Sequence, residues 1–479
     1  MGNVMICDAK SPPGTNPIAD YAVIGLGISG RSVVNFLAGQ GHSVLAMDER
    51  TDVLDVETEF NVYPNVKVFG GPLDAEKISR CGQVVVSPGV PLEEPAVAAA
   101  ISAGCEVIGD IELFARRARA PIVAITGTNG KSTVTTLVAK MLEAAGKEVR
   151  CGGNLGTPAL ALLGTPEPDF YVLEVSSFQL ELTTTLAPNV ACLLNITPDH
   201  LDRHHTFERY IAAKARILTR AAIGIVNADD EAVRALSWGG LRVEFSLGEP
   251  NSDQYGLRSR NKIKVLAIGD SDILDCAELA LPGAHNIANV LATIAVVDAC
   301  GIDRTNALTA LKTFSGLPHR CERVAMINDV QFINDSKATN PGAASASVKG
   351  VMASVAGGVV IAGGQSKRAP FDEFTDAIAT YAHTLVLLGE AGSELSRLVD
   401  RRVACVFATD MDAAVRAAAA AARAGEVVLL APACASFDMY ENYAKFHGKT
   451  HVYRIMYKDI IRMFQLPRVD RPEMVIILI

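Results

Sequence analysis

The sequence predicts an α/β protein of three successive blocks, each a mostly parallel sheet covered by helices. Two observations carry this. Short β-branched runs alternate with longer Ala- and Leu-rich periodic stretches along nearly all of the 479 residues, the pattern of strands crossing over through helices. At about 150 residues per domain, such a length suggests roughly three domains. An apolar share of 49% with 20% charged residues is enough to bury several cores.

The first block, residues 1–115, begins with a polar, proline-containing stretch expected to fray before Tyr21. Its strands are expected at Ala22-Val23-Ile24, Val44-Leu45-Ala46-Met47 and Val84-Val85-Val86. The second, 116–316, opens at the basic joint Arg116-Arg117-Ala118-Arg119-Ala120-Pro121. Its strands are expected at Ile122–Ile125, Tyr171–Leu173, Ala191–Leu194 and Ile223–Val226, with closing helices near 284–300 and 303–313. The third, 317–479, places strands at Val330–Ile333, Val359–Ala362, Leu385–Leu388 and Val427–Leu430, and a helix over 411–424.

The net charge of −9 is evenly spread with no Lys/Arg block, which argues against nucleic acid or an anionic membrane as partner. Phosphate-bearing small molecules stay open, because local loops and cations bind them on an acidic protein. The ten cysteines form no Cys-x-x-Cys pair, so buried thiols are expected rather than a zinc site or a disulfide framework. The first twenty residues carry Asp8, Pro12, Pro13 and Pro17 in place of a signal peptide's apolar stretch. No run reaches the ~20 apolar residues of a membrane helix. The expectation is a soluble, cytoplasmic protein.

Gly25-Leu26-Gly27-Ile28-Ser29-Gly30 sits between an expected strand and an expected helix. Glycines let the backbone approach a diphosphate, and the helix N-terminus adds amide donors and a positive dipole end. Asp48 ends the next strand, where an acid usually reads a ribose or base edge. Alone this suggests NAD or FAD, although the same physics serves any nucleotide diphosphate. Ser87-Pro88-Gly89 ends a later strand, on the edge where ligands sit in such sheets.

Ile122–Thr133 reads as a strand, the loop Gly127-Thr128-Asn129-Gly130, then Lys131-Ser132-Thr133 opening a helix. Only two residues separate the glycines, fewer than in the usual P-loop. The mechanics still hold: backbone amides cradle phosphates, Lys131 offers a charge to the β/γ oxygens, and Ser132 offers a hydroxyl to Mg²⁺. Glu174 ends a later strand, and a carboxylate there would face the loop if the strands are neighbours. Thr197-Pro198-Asp199-His200-Leu201-Asp202-Arg203-His204 is a polar cluster after another strand. In isolation it reads as a solvated loop; beside a metal–nucleotide site His200 becomes a candidate ligand. Lys214, taken alone, reads as a surface helix lysine.

Together GLGISG, GTNGKST, CGGNLG, EVSSFQLE, TPDHLDRH with its later AAK, LPGAHNIAN, GLPHR, NDSKATN and PACASFD resemble the ATP-dependent Mur ligases of peptidoglycan precursor synthesis over roughly residues 20–445. The resemblance implies a Rossmann-like UDP-binding domain, a central P-loop ATPase domain and a C-terminal Rossmann-like domain. The implied reaction joins D-glutamate to UDP-N-acetylmuramoyl-L-alanine through an acyl phosphate, in a monomer using ATP and two Mg²⁺ ions.

By motif it assigns ATP to Gly127, Thr128, Asn129, Gly130, Lys131, Ser132, Thr133, Asn286, Asn289, Arg320 and Asp335. Metal falls to Ser132, Glu174, His200 and Lys214, with Lys131, His200 and Lys214 catalytic. A cationic lysine beside divalent ions is electrostatically unfavourable, and the family's answer is a carbamate on Lys214. Gly27, Ile28, Ser29, Gly30, Asp48, Gly89 and Asn154 are assigned to the UDP substrate, displacing the dinucleotide reading. Lys337, Thr339, Lys367, Ser436 and Tyr443 are assigned to D-glutamate.

Two segments depart from the family pattern. Gln365-Ser366 stands where an Asp-Gly pair is expected before Lys367. The tail after Tyr443 is unfamiliar, and is expected to leave the last helix imperfectly packed. The alternatives are an amide ligase of the same superfamily with another acceptor, such as folylpolyglutamate synthase or a sister Mur ligase, or a nucleotide-binding regulatory protein without catalysis.

Overall fold

The computed structural model describes residues 17–51, 58–260, 263–281, 283–317, 319–353, 355, 357–436 and 438–439. Cys7, Tyr443, the tail after Tyr443 and residues 1–16 of the stretch expected to fray lie outside the described residues, whereas Ile18, also in that stretch, is anchored, its amide donating to the Arg80 carbonyl at 3.0 Å.

Three sheets follow one another along the chain. The first is built from β1 (Tyr21–Ile24), β2 (Val44–Asp48), β3 (Val66–Gly70), β4 (Gln83–Val86) and β5 (Val107–Ile108), in the order β3-β2-β1-β4-β5. Every pairing is parallel. β1, β2 and β4 are buried along their whole length, which explains their unbroken apolar runs. At the edge, β3 is largely exposed and reads Val-Lys-Val-Phe-Gly, with no such run to mark it.

The second sheet contains β6 (Ile122–Thr126), β7 (Val149–Gly153), β8 (Phe170–Glu174), β9 (Val190–Leu193), β10 (Ile223–Asn227), β11 (Leu241–Phe245), β12 (Tyr255–Arg260), β13 (Ile263–Ile268) and β14 (Ser271–Asp275). Its order is β14-β13-β12-β11-β10-β9-β6-β8-β7. The β7 to β12 part is parallel, whereas β12, β13 and β14 form antiparallel hairpins at one edge. β6 lies between β8 and β9, with Ile125 paired to both Glu174 and Cys192. Its Val123, Ala124 and Ile125 are fully buried, and burying one Val or Ile side chain contributes about 1.5–3 kcal/mol.

The third sheet comprises β15 (Glu322–Ile327), β16 (Val330–Asn334), β17 (Gly358–Gly363), β18 (Thr384–Leu388), β19 (Ala404–Phe407) and β20 (Val427–Leu430), in the order β15-β16-β20-β17-β18-β19. Only β15 runs antiparallel. The expected helices appear at Ala284–Ala299, Arg304–Thr313 and Met411–Ala421. The α/β class with parallel-rich sheets therefore holds.

The chain divides into two compact units. One holds the first two sheets. The other holds the third sheet together with Thr197–Tyr210 and Leu279–Ile287. Cys81, Cys105, Cys192 and Cys434 are buried free thiols, and the remaining described cysteines are half-buried. Among the described residues, no helix is long and apolar enough to cross a membrane.

At the amino edge of the third sheet, Glu426 accepts from His383 Nε2 at 2.9 Å and from the Arg423 amide at 2.8 Å. Burial opposes its ionisation, but these bonds prevail and hold the carboxyl below its ordinary value. A depressed carboxyl stabilises the fold above its unfolded pKa, and that contribution disappears as pH falls through the folded value. Glu426→Gln is therefore expected to lower the urea midpoint near neutrality and to flatten its decline in acid. A pH series of urea melts checks this, and parallel curves would remove the assignment.

Candidate active site

In parallel sheets ligands gather outside the carboxyl ends of the strands, and in both units the chemistry-bearing residues collect there. Beyond β6 the chain turns through Gly127–Gly130 into the helix Lys131–Ala144. Gly130 takes φ +84°, and a Cβ there would lie 2.4 Å from Asn289 Oδ1. Glycine is needed on both counts, and the same contact places Asn289 against the loop.

Asn195, just past β9, clamps the loop from the side. Its Oδ1 accepts from the Asn129 amide at 2.8 Å, its Nδ2 donates to the Asn129 carbonyl at 3.1 Å, and its carbonyl accepts from Thr128 N at 2.9 Å. Ser132 and Thr133 are buried in the first turn of the helix. Lys131 Nζ donates to the carbonyls of Gly127 and Thr128 at 3.0 and 2.9 Å.

β8 ends at Glu174, paired beside Gly153 of β7. Glu174 is 2% exposed. Its Oε1 accepts from Asn154 Nδ2 at 2.6 Å, and the Asn154 amide donates to its carbonyl at 2.8 Å. Its Oε2 is buried with no hydrogen-bond partner among the described residues. A buried, unsatisfied carboxylate oxygen is costly, and a cation is the natural complement. Among the described residues no cluster of three or more His, Cys, Asp or Glu forms a ready-made cage. A single buried carboxylate oxygen of this kind, on Glu174, is the type of donor that Mg²⁺ takes together with phosphates and water.

Lys214 is where the reading of a surface helix lysine fails. It is 2% exposed, and its Nζ donates to the Gly127 carbonyl at 2.7 Å. The helix Phe207–Ala215 presents it to the phosphate loop, and local sequence cannot show that.

The second unit has its own cluster at the carboxyl edge of the third sheet. His200 adopts a left-handed conformation, φ 53°, and its Nε2 lies 3.7 Å from Asp199 Oδ2. Asp199, only 4% exposed, meets Lys367 Nζ at 3.3 Å and accepts from Asn340 Nδ2 at 3.1 Å. Lys367 in turn donates to Thr339 Oγ1 at 3.4 Å. Asp199 and Asn340 were not expected in this cluster; the only signal was Asp199 standing beside His200.

The Ala338 carbonyl accepts from Ala433 N at 2.9 Å, and Gln365 pairs through its backbone with Ala435. Lys367, Thr339 and Ser436 are thus brought to neighbouring loops. Because backbone atoms hold Gln365 there, the turn keeps its place with Gln-Ser in the sequence. Lys337 is exposed on the same edge.

Asp335 follows β16 and is 8% exposed. Burial pushes its carboxyl above the usual range, opposed by Ser347 and by Arg320. The Cys321 thiol, itself pushed up to about 12 by burial, lies 3.5 Å from Asp335 Oδ2. It stays protonated and can donate. Asn286 is buried, in the same unit.

The glycine loop after β1 completes the inventory. A Cβ at Gly30 would lie 1.8 Å from the Gly25 carbonyl oxygen, so only glycine lets the helix Ile28–Gly39 pack there. Gly27 and Gly89 face open space, and Ile28 is 62% exposed. Asp48 behaves differently from a free ribose reader. Its Oδ2 accepts from Leu26 N at 2.7 Å and from Arg50 Nη2 at 2.9 Å, and its Oδ1 accepts from Arg50 Nε at 2.7 Å. Although burial opposes ionisation, the Arg50 and Leu26 bonds hold its carboxyl below the ordinary value. The bond to Leu26 N fastens the loop to the end of β2.

Comparison with known proteins agrees with this arrangement. Residues 19–109 match a family model described as Mur ligase MurD-like, N-terminal domain; 125–297 match the Mur ligase middle domain, and 319–434 the Mur ligase, glutamate ligase domain. Residues 420–479 also match a model described as SSRP1 PH domain, a span mostly outside the described residues. The chain is 43% identical over 444 residues to a UDP-N-acetylmuramoylalanine--D-glutamate ligase of Nitrosococcus oceani, covering 92% of this chain and 97% of the relative.

It is 46% identical over 423 residues to the Pseudomonas fluorescens protein of the same name, covering 88% and 94%. Among solved structures, UDP-N-acetylmuramate-alanine ligase from Thermotoga maritima superposes with a TM-score of 0.56 at 20% identity, covering 87% of this chain and 96% of that one. With three family models in order and relatives above 40% identity over nearly the full length, this chain belongs to the Mur ligase family.

Proposed function

We propose that this Mur ligase uses ATP to join D-glutamate to UDP-N-acetylmuramoyl-L-alanine, releasing ADP and phosphate, in cytoplasmic peptidoglycan precursor synthesis. The observation that carries the phosphate chemistry is the convergence of a phosphate loop, Lys131 and the half-satisfied Glu174 at one sheet edge. The acceptor follows from the name shared by relatives that match the chain almost end to end. Residues 1–115 hold the UDP donor, 116–316 the ATP and 317–479 the amino acid.

The donor's alanyl carboxylate attacks the γ-phosphate and expels ADP, leaving an acyl phosphate. The D-glutamate amine attacks that carbonyl, and the tetrahedral adduct collapses by losing phosphate to form the amide. Loop amides and Lys131 bind the β/γ oxygens, with Lys131 exchanging its two carbonyl partners for phosphate. Ser132, Glu174, His200 and a carbamylated Lys214 are the residues that would hold Mg²⁺, which when bound neutralises charge on the phosphates. Asn286, Asn289, Arg320 and Asp335 serve the nucleotide, with Cys321 steadying Asp335. Gly27–Gly30, Asp48 and Gly89 receive the UDP part of the donor. Asn154, bonded to Glu174, lies toward the muramoyl group. Lys337, Lys367, Thr339, Ser436 and Tyr443 receive D-glutamate, whose two carboxylates suit paired lysines.

An acceptor screen tests this. With ATP, Mg²⁺ and UDP-N-acetylmuramoyl-L-alanine present, ADP formation is expected with D-glutamate and not with L-glutamate, lysine or diaminopimelate. Activity with one of the others in its place rejects the acceptor.

A further inference from the structure

Asn227 and Asp230 take no part in the chemistry above, yet both reach the segment that clamps the phosphate loop. Asn227 ends β10, which pairs in parallel with β9. Its Nδ2 donates to the Leu194 carbonyl at 3.0 Å, while its Oδ1 accepts from Asp229 N at 2.9 Å. Asp230 Oδ2 accepts from Ile196 N at 2.8 Å, while its Oδ1 accepts from Val233 N at 3.0 Å and caps the turn Glu231–Arg234. The two side chains thus hold the peptide groups on either side of Asn195, one by its carbonyl and the other by its amide.

The tie is braced from behind. Ala228 N donates to the Phe245 carbonyl at 2.9 Å, and Asp229 Oδ2 accepts from Leu247 N at 2.7 Å, so the end of β11 anchors the turn. On the far side Leu194 N donates to the Thr126 carbonyl at 3.0 Å, and a Cβ on Gly127 would lie 3.0 Å from Leu194 Cβ. Asn195 itself bonds Asn129 through both ends of its amide and Thr128 N through its carbonyl. Direct hydrogen bonds therefore lead from the turn after β10, through Leu194–Ile196, to the phosphate loop, all within one compact unit.

We propose that Asn227 and Asp230 are positioning residues for the nucleotide: they fix Asn195, which in turn holds Thr128 and Asn129 so that the loop keeps the shape that receives phosphates. The proposal rests on the reading of Gly127–Thr133 as the ATP site. The two residue types match the two peptide atoms. A carboxylate only accepts and suits the Ile196 amide, whereas a side-chain amide also donates and suits the Leu194 carbonyl. Asp230→Asn keeps the cap, where Asn serves as well, but costs the bond from Ile196 N. Asn227→Asp keeps the bond from Asp229 N and sets an oxygen against the Leu194 carbonyl. Each exchange therefore cuts one tie to Asn195 and spares the local turn.

The test compares Asp230→Asn and Asn227→Asp, each alone and combined with Asn195→Ala. The readouts are calorimetry with a non-hydrolysable ATP analogue and Mg²⁺, and the KM values for ATP and donor. Each single exchange is expected to weaken analogue binding about tenfold, to raise the ATP KM similarly, and to leave the donor KM within about twofold. Combined with Asn195→Ala, neither exchange is expected to add to the loss, because its effect passes through Asn195. Unchanged analogue affinity in either exchange, equal rises in the two KM values, or losses that add to that of Asn195→Ala overturn the proposal. If one exchange does not fold, the other carries the test with the same outcomes. Wild-type protein that fails to bind the analogue overturns the reading of the ATP loop as well, which separates the two failures.

Discussion

Lys131→Ala is expected to lower turnover by about a thousandfold, the scale on which removing a charged donor from a phosphoryl-transfer site acts. Lys131 is half-buried, and its Nζ donates to two carbonyls of its own loop, at 3.0 and 2.9 Å. The loop has other anchors. Asn195 bonds both backbone atoms of Asn129, and Gly130 caps the helix by conformation. Removal of the ammonium therefore leaves loop and fold standing. The melting temperature is expected to fall by no more than a few degrees, because a net hydrogen bond contributes only about 1 kcal/mol. Steady-state ADP release and a thermal melt on the same preparation check both halves. Turnover within about tenfold of wild type would remove Lys131 from the phosphate site, on the same scale.

Lys214→Ala is expected to produce a loss of similar size with a different signature. Lys214 is buried, and its Nζ donates to Gly127 O at 2.7 Å. Truncation leaves both a cavity beneath the loop and a carbonyl without that donor. A buried long side chain cut to Ala costs about 2–5 kcal/mol, so here stability falls as well. If a carbamate on Lys214 supplies oxygen ligands, small carboxylates such as formate or acetate enter the cavity and restore part of the turnover. Lys214→Met, which fills the space without the amine, is expected to recover stability and to resist rescue. Rescue that does not depend on carboxylate concentration would reject the carbamate, and unchanged turnover would leave Lys214 a packing residue. Bicarbonate depletion offers an independent check, since it would inactivate the wild type and spare an already inactive variant.

Much of the fold was legible because strands buried on both faces write themselves as continuous apolar runs. Ala22–Ile24, Val84–Val86 and Ile122–Ile125 fall inside β1, β4 and β6. Edge strands escaped: β3 and β19 are short and mostly exposed, so no long buried run sets them apart from the loops around them. The antiparallel hairpins β12–β14 were also missed, since partner choice depends on residues that only meet after folding. The glycine loops were legible for another reason. A backbone that must approach a phosphate or take a left-handed turn restricts the residue type locally, as Gly130 and Gly30 show.

The sequence by itself determined the α/β class, most of the central strands, the phosphate loop and the family resemblance. All of these are written in local runs or in ordered short motifs. Only the tertiary structure decided which polar residues lose their water. Lys214 meets Gly127 across 87 positions, Gln179 meets Asp110 across 69, and Asn340 meets Asp199 across 141. A lysine or aspartate has the same propensity whether it faces solvent or a core. Its burial, its partners and the shift of its titration follow from which strands and helices become neighbours, and that is a property of long-range packing.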